Sequence, residues 1–207
     1  DIVFGDWSSD VCSSDLLYWV GFMIADQVIK EDQDYADVVS RFVVSAVDGI
    51  SRLKDIHYND DGSPYTGRET VHAHLFKVFD KLGTNAFWGA TDAFLYVSSR
   101  WYEAGMGAAA TDNPWELTFI DHDAFYAKDG NGGYDYQSCY DVLKHICRLF
   151  FSRLFLSSGV YRIDQISEYR EATVTLHRYF KSGAKSAAST GQTLSRVESS
   201  TTTFIRK

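Results

Sequence analysis

Two stretches of β-type sequence, residues 153–157 and 160–166, are separated only by Ser158-Gly159. A two-residue connection of this composition is typical of a tight β-hairpin, in which the flanking strands run antiparallel. A turn this short also sets the register of the two strands that it joins. This predicted hairpin constrains the fold more than any other feature of the sequence.

Stretches rich in β-branched and aromatic residues cover 17–24, 37–47, 93–102 and 172–180, and each predicts a strand. A helix is predicted over 69–82, where apolar residues recur at helical spacing until Gly83, a typical C-cap. A second helix follows Ser138 and Asp141, which are spaced as a capping box. The sequence therefore predicts an α+β fold of antiparallel strands and hairpins with two main amphipathic helices.

Turn residues mark the connections between these elements. Asp48-Gly49 follows the 37–47 strand and is predicted to cap and turn the chain into one or two helical turns. Residues 59–67 predict a loop. The stretch 105–133 has no clear period and is predicted to be mostly irregular.

Residues 6–16 read DWSSDVCSSDL, which has neither a helical nor a strand period. The string resembles the in-frame translation of a common short-read sequencing adapter, so residues 1–16 are interpreted as an artefactual or untrusted leader. The rest is predicted to form one α+β region over 17–182, either whole or as two small subdomains of about 17–57 and 68–182. Residues 183–207 are rich in Ser and Thr and predict a flexible arm or a truncated continuation.

Composition excludes two classes of partner. The chain has 28 acidic and 20 basic residues and a formal net charge of −8, so repulsion disfavours binding to nucleic acid or to an anionic membrane. Its longest uncharged apolar runs are far shorter than the roughly 18 residues of a membrane-spanning helix. The sequence predicts no nucleic-acid partner and no membrane span.

The cysteines and histidines do not form a recognisable metal motif. Cys139 and Cys147 would lie about 12 Å apart along one helix, which is too far for a disulfide. His72 and His74 stand two positions apart on the other helix and so point away from each other. No metal and no cofactor are predicted.

A carbohydrate site is the best ligand-binding alternative. Trp88, Trp101 and Trp115 would stack on sugar rings, and Asp121 and Glu116 would act as paired carboxylates. Scattered tryptophans, however, are more often core or interface residues. No nucleophile accompanies the Asp-His-Asp triplet at 121–123, and no glycine motif for phosphate is present, so the chain is predicted to be non-catalytic.

Three segments carry a resemblance to a known family. They are YWVGFMIAD at 18–26, FVVSAVDGISRLK at 42–54, and a segment that runs from CYDVL at 139–143 to RLFLSSGVYRI at 153–163. Together they resemble structural proteins of tailed-bacteriophage baseplates and tail tips. In these patterns Asp48-Gly49 turns from strand to helix, and Ser158-Gly159 closes the hairpin.

The resemblance implies a baseplate hub or tail-tip structural protein of a phage or prophage. Such a protein would be assembled in the host cytoplasm and reside in the tail of the virion. Its partners would be other tail or baseplate proteins, together with further copies of the chain in a ring around the tail axis. The resemblance carries no catalytic residue over to this sequence.

Overall fold

The fold is given by a computed structural model that describes residues 21–23, 29–31, 41–43, 45–100, 112–157, 159–170, 173–186 and 192–195. Its α-helices are α1 (Val71–Leu82), α2 (Pro114–Leu117) and α3 (Cys139–Leu149). Its strands are β1 (Phe22–Met23), β2 (Ile29–Glu31), β3 (Arg41–Val43), β4 (Ala46–Val47), β5 (Arg68–Thr70), β6 (Leu95–Ser98), β7 (Phe119–Asp121), β8 (Tyr126–Lys128), β9 (Tyr134–Tyr136), β10 (Ser152–Ser157), β11 (Val160–Gln165), β12 (Thr173–Tyr179) and β13 (Gln192–Ser195).

The largest sheet has five strands in the order β10-β11-β6-β12-β13. The predicted hairpin is confirmed, since β10 and β11 pair antiparallel in a continuous register from Ser152↔Gln165 to Ser157↔Val160. The α+β class is confirmed as well. One pairing departs from the expected antiparallel pattern, because β11 runs parallel to β6. These two strands lie more than 60 residues apart in the sequence, so only long-range packing could bring them together.

One face of this sheet forms the main core with α1. Alternate strand residues point to the same face, and those that face α1 are fully buried. On the helix, the ring of Phe79 lies 5.2 Å from that of Phe94 and 4.8 Å from that of Tyr161. The sheet residues in this layer are Leu95, Val97, Tyr161, Ile163 and Tyr179.

The predicted helix over 69–82 begins two residues later than expected. Arg68–Thr70 pairs instead with Phe119–Asp121 as the short β5–β7 sheet. Thr70 then becomes the N-cap, and its side chain accepts a hydrogen bond from Ala73 N at 3.1 Å. The predicted C-cap is confirmed, because Gly83 has a left-handed φ of 75°.

The segment after β4 joins the same core as the two helices. Residues Ile50–Asp55 form a 3₁₀-helix whose Leu53 is fully buried. Cys139 N donates to Ile56 O at 2.8 Å, which ties this segment to the start of α3. Buried residues on both sides of 58–67 therefore belong to one hydrophobic cluster.

The structure describes only parts of the two N-terminal β-type stretches. The strand predicted over 37–47 is divided into β3 and β4, which pair with different partners, β2 and β1. Of the strand predicted over 17–24, the structure describes Phe22–Met23 as β1. Residues 1–16, interpreted above as a leader, lie outside the described residues.

Two irregular stretches of the prediction contain folded elements. The sequence predicts that 105–133 is mostly irregular, yet this stretch contains α2, β7 and β8, which are too short to show a period. In the predicted arm 183–207, Gln192–Ser195 pairs antiparallel with β12, and Ser186 is buried. These parts of the arm are therefore fixed by pairing with the sheet, whereas 187–191 and 196–207 lie outside the described residues.

Candidate functional site

Within the described part of the chain, β10 forms one edge of the five-stranded sheet. Ile166 N donates to Phe151 O at 2.8 Å, and this bond shows that every second residue from Phe151 to Ser157 directs its main chain toward β11. The N–H and C=O groups of Ser152, Leu154 and Leu156 therefore point out of the sheet. An open edge of this kind can pair with another strand.

Exposed apolar side chains lie at the beginning of this edge. Phe151 is 68% exposed, Ile166 is 58% exposed and Leu149 is 47% exposed. Phe151 also has a positive φ of 46°, a conformation that is uncommon for a bulky residue. The turn from α3 into β10 thus presents apolar surface beside the open main-chain groups.

A first polar cluster, built around His74 and His122, lies in the interior. Tyr58 Oη lies 2.7 Å from His74 Nδ1, and His74 Nε2 lies 3.1 Å from Ile120 O. Because a carbonyl can only accept, Nε2 carries the proton and donates to Ile120, and Tyr58 donates to Nδ1. These two bonds hold His74, on α1, as one neutral tautomer between Tyr58 and the main chain of β7.

His122 completes this cluster. Its ring lies 4.4 Å from the ring of His74, and its Nε2 lies 3.3 Å from Glu69 Oε2, which also lies 3.2 Å from Lys77 Nζ. Burial lowers the pKa of both histidines, although the nearby Glu69 carboxylate opposes the shift. Burial also raises the pKa of Tyr58, so all three rings are neutral near pH 7.

A second polar cluster lies where β12 meets α2. Tyr179 Oη accepts a hydrogen bond from Asn113 Nδ2 at 2.5 Å and donates to Glu116 Oε1 at 2.9 Å. The other carboxylate oxygen of Glu116 lies 3.1 Å from Lys185 Nζ. These bonds join α2, β12 and the segment that follows β12.

Two further imidazoles border this second cluster. The ring of His72 packs 4.6 Å from the ring of Tyr179. His177 is fully buried on β12, and neither of its ring nitrogens has a hydrogen-bond partner among the described residues. Burial lowers the pKa of each of these two histidines to about 4. Both rings are therefore neutral and contribute as packing groups.

The chemistry available to these clusters is limited. In the described ranges, no group of three or more His, Cys, Asp or Glu side chains is placed to hold a metal ion. Burial raises the pKa of the Cys139 thiol to about 11 and that of Cys147 to about 12, so neither thiol is a reactive thiolate at neutral pH. The polar groups mainly connect elements that are distant in sequence.

The residues predicted to cap and turn are placed as turn and cap residues. Asp48 Oδ1 accepts from Ile50 N at 3.0 Å, and Gly49 has a φ of 81°. A Cβ at Gly49 would lie 2.2 Å from the ring of Phe22, so both conformation and close packing require glycine here. At α3, Ser138 Oγ accepts from Asp141 N at 3.1 Å and donates to Asp141 Oδ2 at 2.8 Å.

The hairpin turn is tied to the core through a tryptophan. Gly159 has a φ of 72°, and its carbonyl accepts a hydrogen bond from Trp88 Nε1 at 2.9 Å. Ser158 lies outside the described residues. The turn therefore serves as a packing site as well as a connection.

The carbohydrate alternative loses two of its tryptophans. Trp88 is 2% exposed and Trp115 is fully buried, so neither ring face is available to a sugar. Trp101 lies outside the described residues. Glu116 is bonded to Tyr179 and Lys185, as described above. Asp121 caps the 3₁₀-helix His122–Phe125 through a bond from Asp123 N at 3.2 Å.

Sequence reasoning missed the partners that organise both polar clusters. Tyr58 stands just before the predicted loop 59–67, Glu69 begins the predicted helix 69–82, and Tyr179 lies in a predicted strand, so no local feature sets these three residues apart. No local pattern connects Tyr58 with His74, because the bond spans 16 residues. One sequence signal does point to a buried polar residue: His177 stands in a predicted strand among β-branched and aromatic residues.

No helix in the described ranges has the length and hydropathy that crossing a membrane requires. Comparison with known proteins does not add a relative: no protein-family model, no curated protein and no solved structure matches this chain.

Proposed function

We propose that this chain is a non-catalytic structural component of a phage or prophage tail, in a baseplate hub or tail-tip assembly. The observation that carries the proposal is the open β10 edge, which lies beside the exposed apolar side chains of Phe151 and Ile166. Assembly proteins need surfaces that other chains can join. A strand edge provides such a surface through main-chain hydrogen bonds.

The position of this edge supports the proposal. The hairpin that presents it belongs to the segment 139–163, which is also the longest stretch of resemblance to baseplate and tail-tip proteins. The resemblance and the candidate surface therefore coincide in one supersecondary unit, α3 followed by β10 and β11. Each was identified from different features of the chain.

The interior is also consistent with a structural role. Several tyrosines, histidines and carboxylates that could have formed a reaction centre are engaged with one another across elements, as Tyr58 is with His74 and Tyr179 is with Glu116. Such bonds rigidify a fold at the cost of chemical availability. A rigid subunit is what a repeating assembly requires.

The experiment that tests the proposal begins with a long sequencing read across this gene in its source DNA. We expect tail genes, including a tape-measure gene, on either side, and native sequence in place of residues 6–16. Particles produced from the same source would then be labelled with gold-conjugated antibody against the purified chain. We expect gold at the tail in electron micrographs.

Two outcomes would contradict the proposal. One is a gene that stands beside sugar-uptake or polysaccharide-degradation genes. The other is antibody that reacts with cell extract but leaves intact and disrupted tails unlabelled. Antibody against a capsid protein is the control, because it must label heads and not tails in the same preparation.

A further inference from the structure

Among the described residues, the β10 edge has none of the features by which proteins usually protect an exposed strand. Such edges carry prolines, several charges or a bulge that prevents pairing with another chain. Ser152–Ser157 contains no proline and a single charged residue, Arg153, and its register with β11 is continuous. An edge that is six residues long and regular is suited to pairing rather than to exposure.

The sequence of this strand indicates what pairs with it. Three residues, Ser152, Leu154 and Leu156, direct their main-chain groups outward, and Leu154 is the middle one. If a second β10 runs antiparallel with Leu154 opposite Leu154, then Ser152 lies opposite Leu156 of the second copy and Leu156 lies opposite its Ser152. Every outward N–H and C=O group of both strands then has a partner, which gives about six main-chain hydrogen bonds. A register centred on Phe155 would leave Ser152 outside the paired residues.

The same register repeats a side-chain pair that the sheet already contains. Phe155 lies opposite Arg162 of β11, with the guanidinium carbon 5.9 Å from the ring centroid, and the Arg153 guanidinium lies 4.9 Å from the same ring. In the two-fold register, Arg153 of each copy lies opposite Phe155 of the other. A cation over an aromatic ring is favourable. The pairing also keeps the two Arg153 side chains from standing opposite each other.

We infer that β10 is a homodimerisation strand: two copies of this chain join their five-stranded sheets edge to edge, antiparallel, with the two-fold axis at Leu154. This inference rests on the proposed assembly role, because it names the partner that the open edge accepts. The dimer is then the repeating unit from which a larger tail assembly is built.

The register is tested by cross-linking the full chain in a background in which Cys12 and Cys147 are replaced by alanine. Leu154→Cys places two thiols across the axis, where Cα atoms of a hydrogen-bonded antiparallel pair lie about 5.5 Å apart, within disulfide range. Leu156→Cys is the matched control, because its two thiols would be four residues apart along the strands. On mild oxidation, we expect Leu154→Cys to form covalent dimer at least tenfold faster than Leu156→Cys.

The main-chain bonds are tested by a second pair of variants. Leu154→Pro and Leu154→Ala both shorten the side chain, but only proline removes the N–H that points out of the sheet. Sedimentation velocity should show wild type and Leu154→Ala as dimers and Leu154→Pro as a monomer. Circular dichroism must show that both variants are folded. If Leu154→Pro does not fold, Ser152→Pro removes another outward N–H and takes its place.

Two results would overturn the inference that β10 is a homodimerisation strand. A wild-type chain that remains monomeric at about 100 μM overturns it, as does equal cross-linking of the two cysteine variants. The experiments distinguish failure of the β10 pairing from failure of the proposed tail function. A tail protein without the Leu154 cross-link refutes the pairing alone, whereas a cross-linked dimer encoded outside a tail gene cluster refutes the tail role alone.

Discussion

The buried His74 cluster and the β10 edge differ in whether their polar groups have hydrogen-bond partners within the chain. At His74, the ring nitrogens are matched by Tyr58 Oη at 2.7 Å and Ile120 O at 3.1 Å, and the ring is fully buried. At β10, the outward main-chain groups of Leu154 have no partner in the described part of the chain. The polar residues of the His74 cluster thus connect elements of the fold, whereas we propose that another chain binds at the β10 strand.

This difference has a physical basis. Most buried polar groups are paired within the chain, as His74 is, because an unpaired one costs about 1–3 kcal/mol. Main-chain groups at a sheet edge can bond to water instead, so they stay available to another chain. This availability is the reason why we propose the edge as the surface that another chain joins.

The largest loss of stability is expected when a buried tryptophan is removed, and it tests whether that residue has a structural role. Trp115→Ala removes a fully buried ring that stacks 4.8 Å from Phe150 and donates to Ser99 Oγ at 3.2 Å. We expect a loss of about 3–5 kcal/mol in the free energy of unfolding, measured by urea denaturation. Tyr134→Ala, at a position that is 39% exposed, should cost much less. Unchanged stability with lost glycan binding would contradict the structural role and support the carbohydrate site.

The second prediction concerns pH. The pKa of His177 lies at about 4 in the folded chain because burial disfavours its charged form, and the unfolded chain takes up the proton near pH 6.5. Stability is therefore complete above pH 6.5 and falls as the pH decreases toward 4, by about 3 kcal/mol from His177 alone. Lys185, which also lowers this pKa, and Glu116 and Asp112, which raise it, are the charged groups nearby.

Urea denaturation at pH 7.0 and at pH 4.5 measures this dependence. The variant His177→Leu should lose less stability between the two pH values than the wild type. His145→Gln, at an exposed position on α3, is the matched control and should behave like the wild type. A His177→Leu variant with the full wild-type pH dependence would show that other groups account for the acid sensitivity.

The smallest loss of stability is expected when a single hydrogen bond is removed and the packing of the ring is kept. Tyr58→Phe keeps the ring but removes the hydroxyl that donates to His74 Nδ1, so that a buried acceptor is left unpaired. We expect a loss of about 1–3 kcal/mol in unfolding free energy by thermal or urea denaturation. Tyr134→Phe removes an exposed hydroxyl and should change the stability by less than about 0.5 kcal/mol. Equal effects of the two variants would mean that the His74 cluster does not depend on this bond.

Local sequence was sufficient for much of the fold. The spacing of apolar residues located α1 and α3, Ser138 and Gly83 marked a helix start and a helix end, and Ser158-Gly159 predicted the hairpin. These features act over a few residues, so their physical basis is contained in the local chain. The predicted start of α1 differs from the observed one by two residues. The reason is that Arg68–Thr70 pairs with the strand Phe119–Asp121, about 50 residues away in the sequence.

The candidate site was predictable only in part. The sequence located the β10–β11 hairpin but did not show that β10 would end up at an edge, because strand order depends on which distant segments β11 and β12 pair with. It also identified histidines without their partners, and Trp88 and Trp115 without their burial. The sequence by itself determined the elements, caps and turns, which depend on contacts within about one or two helical turns. Tertiary structure alone decided the parallel β6–β11 pair, the closed interior of His74 and the open edge of β10, because each arises from contacts between segments far apart in the chain.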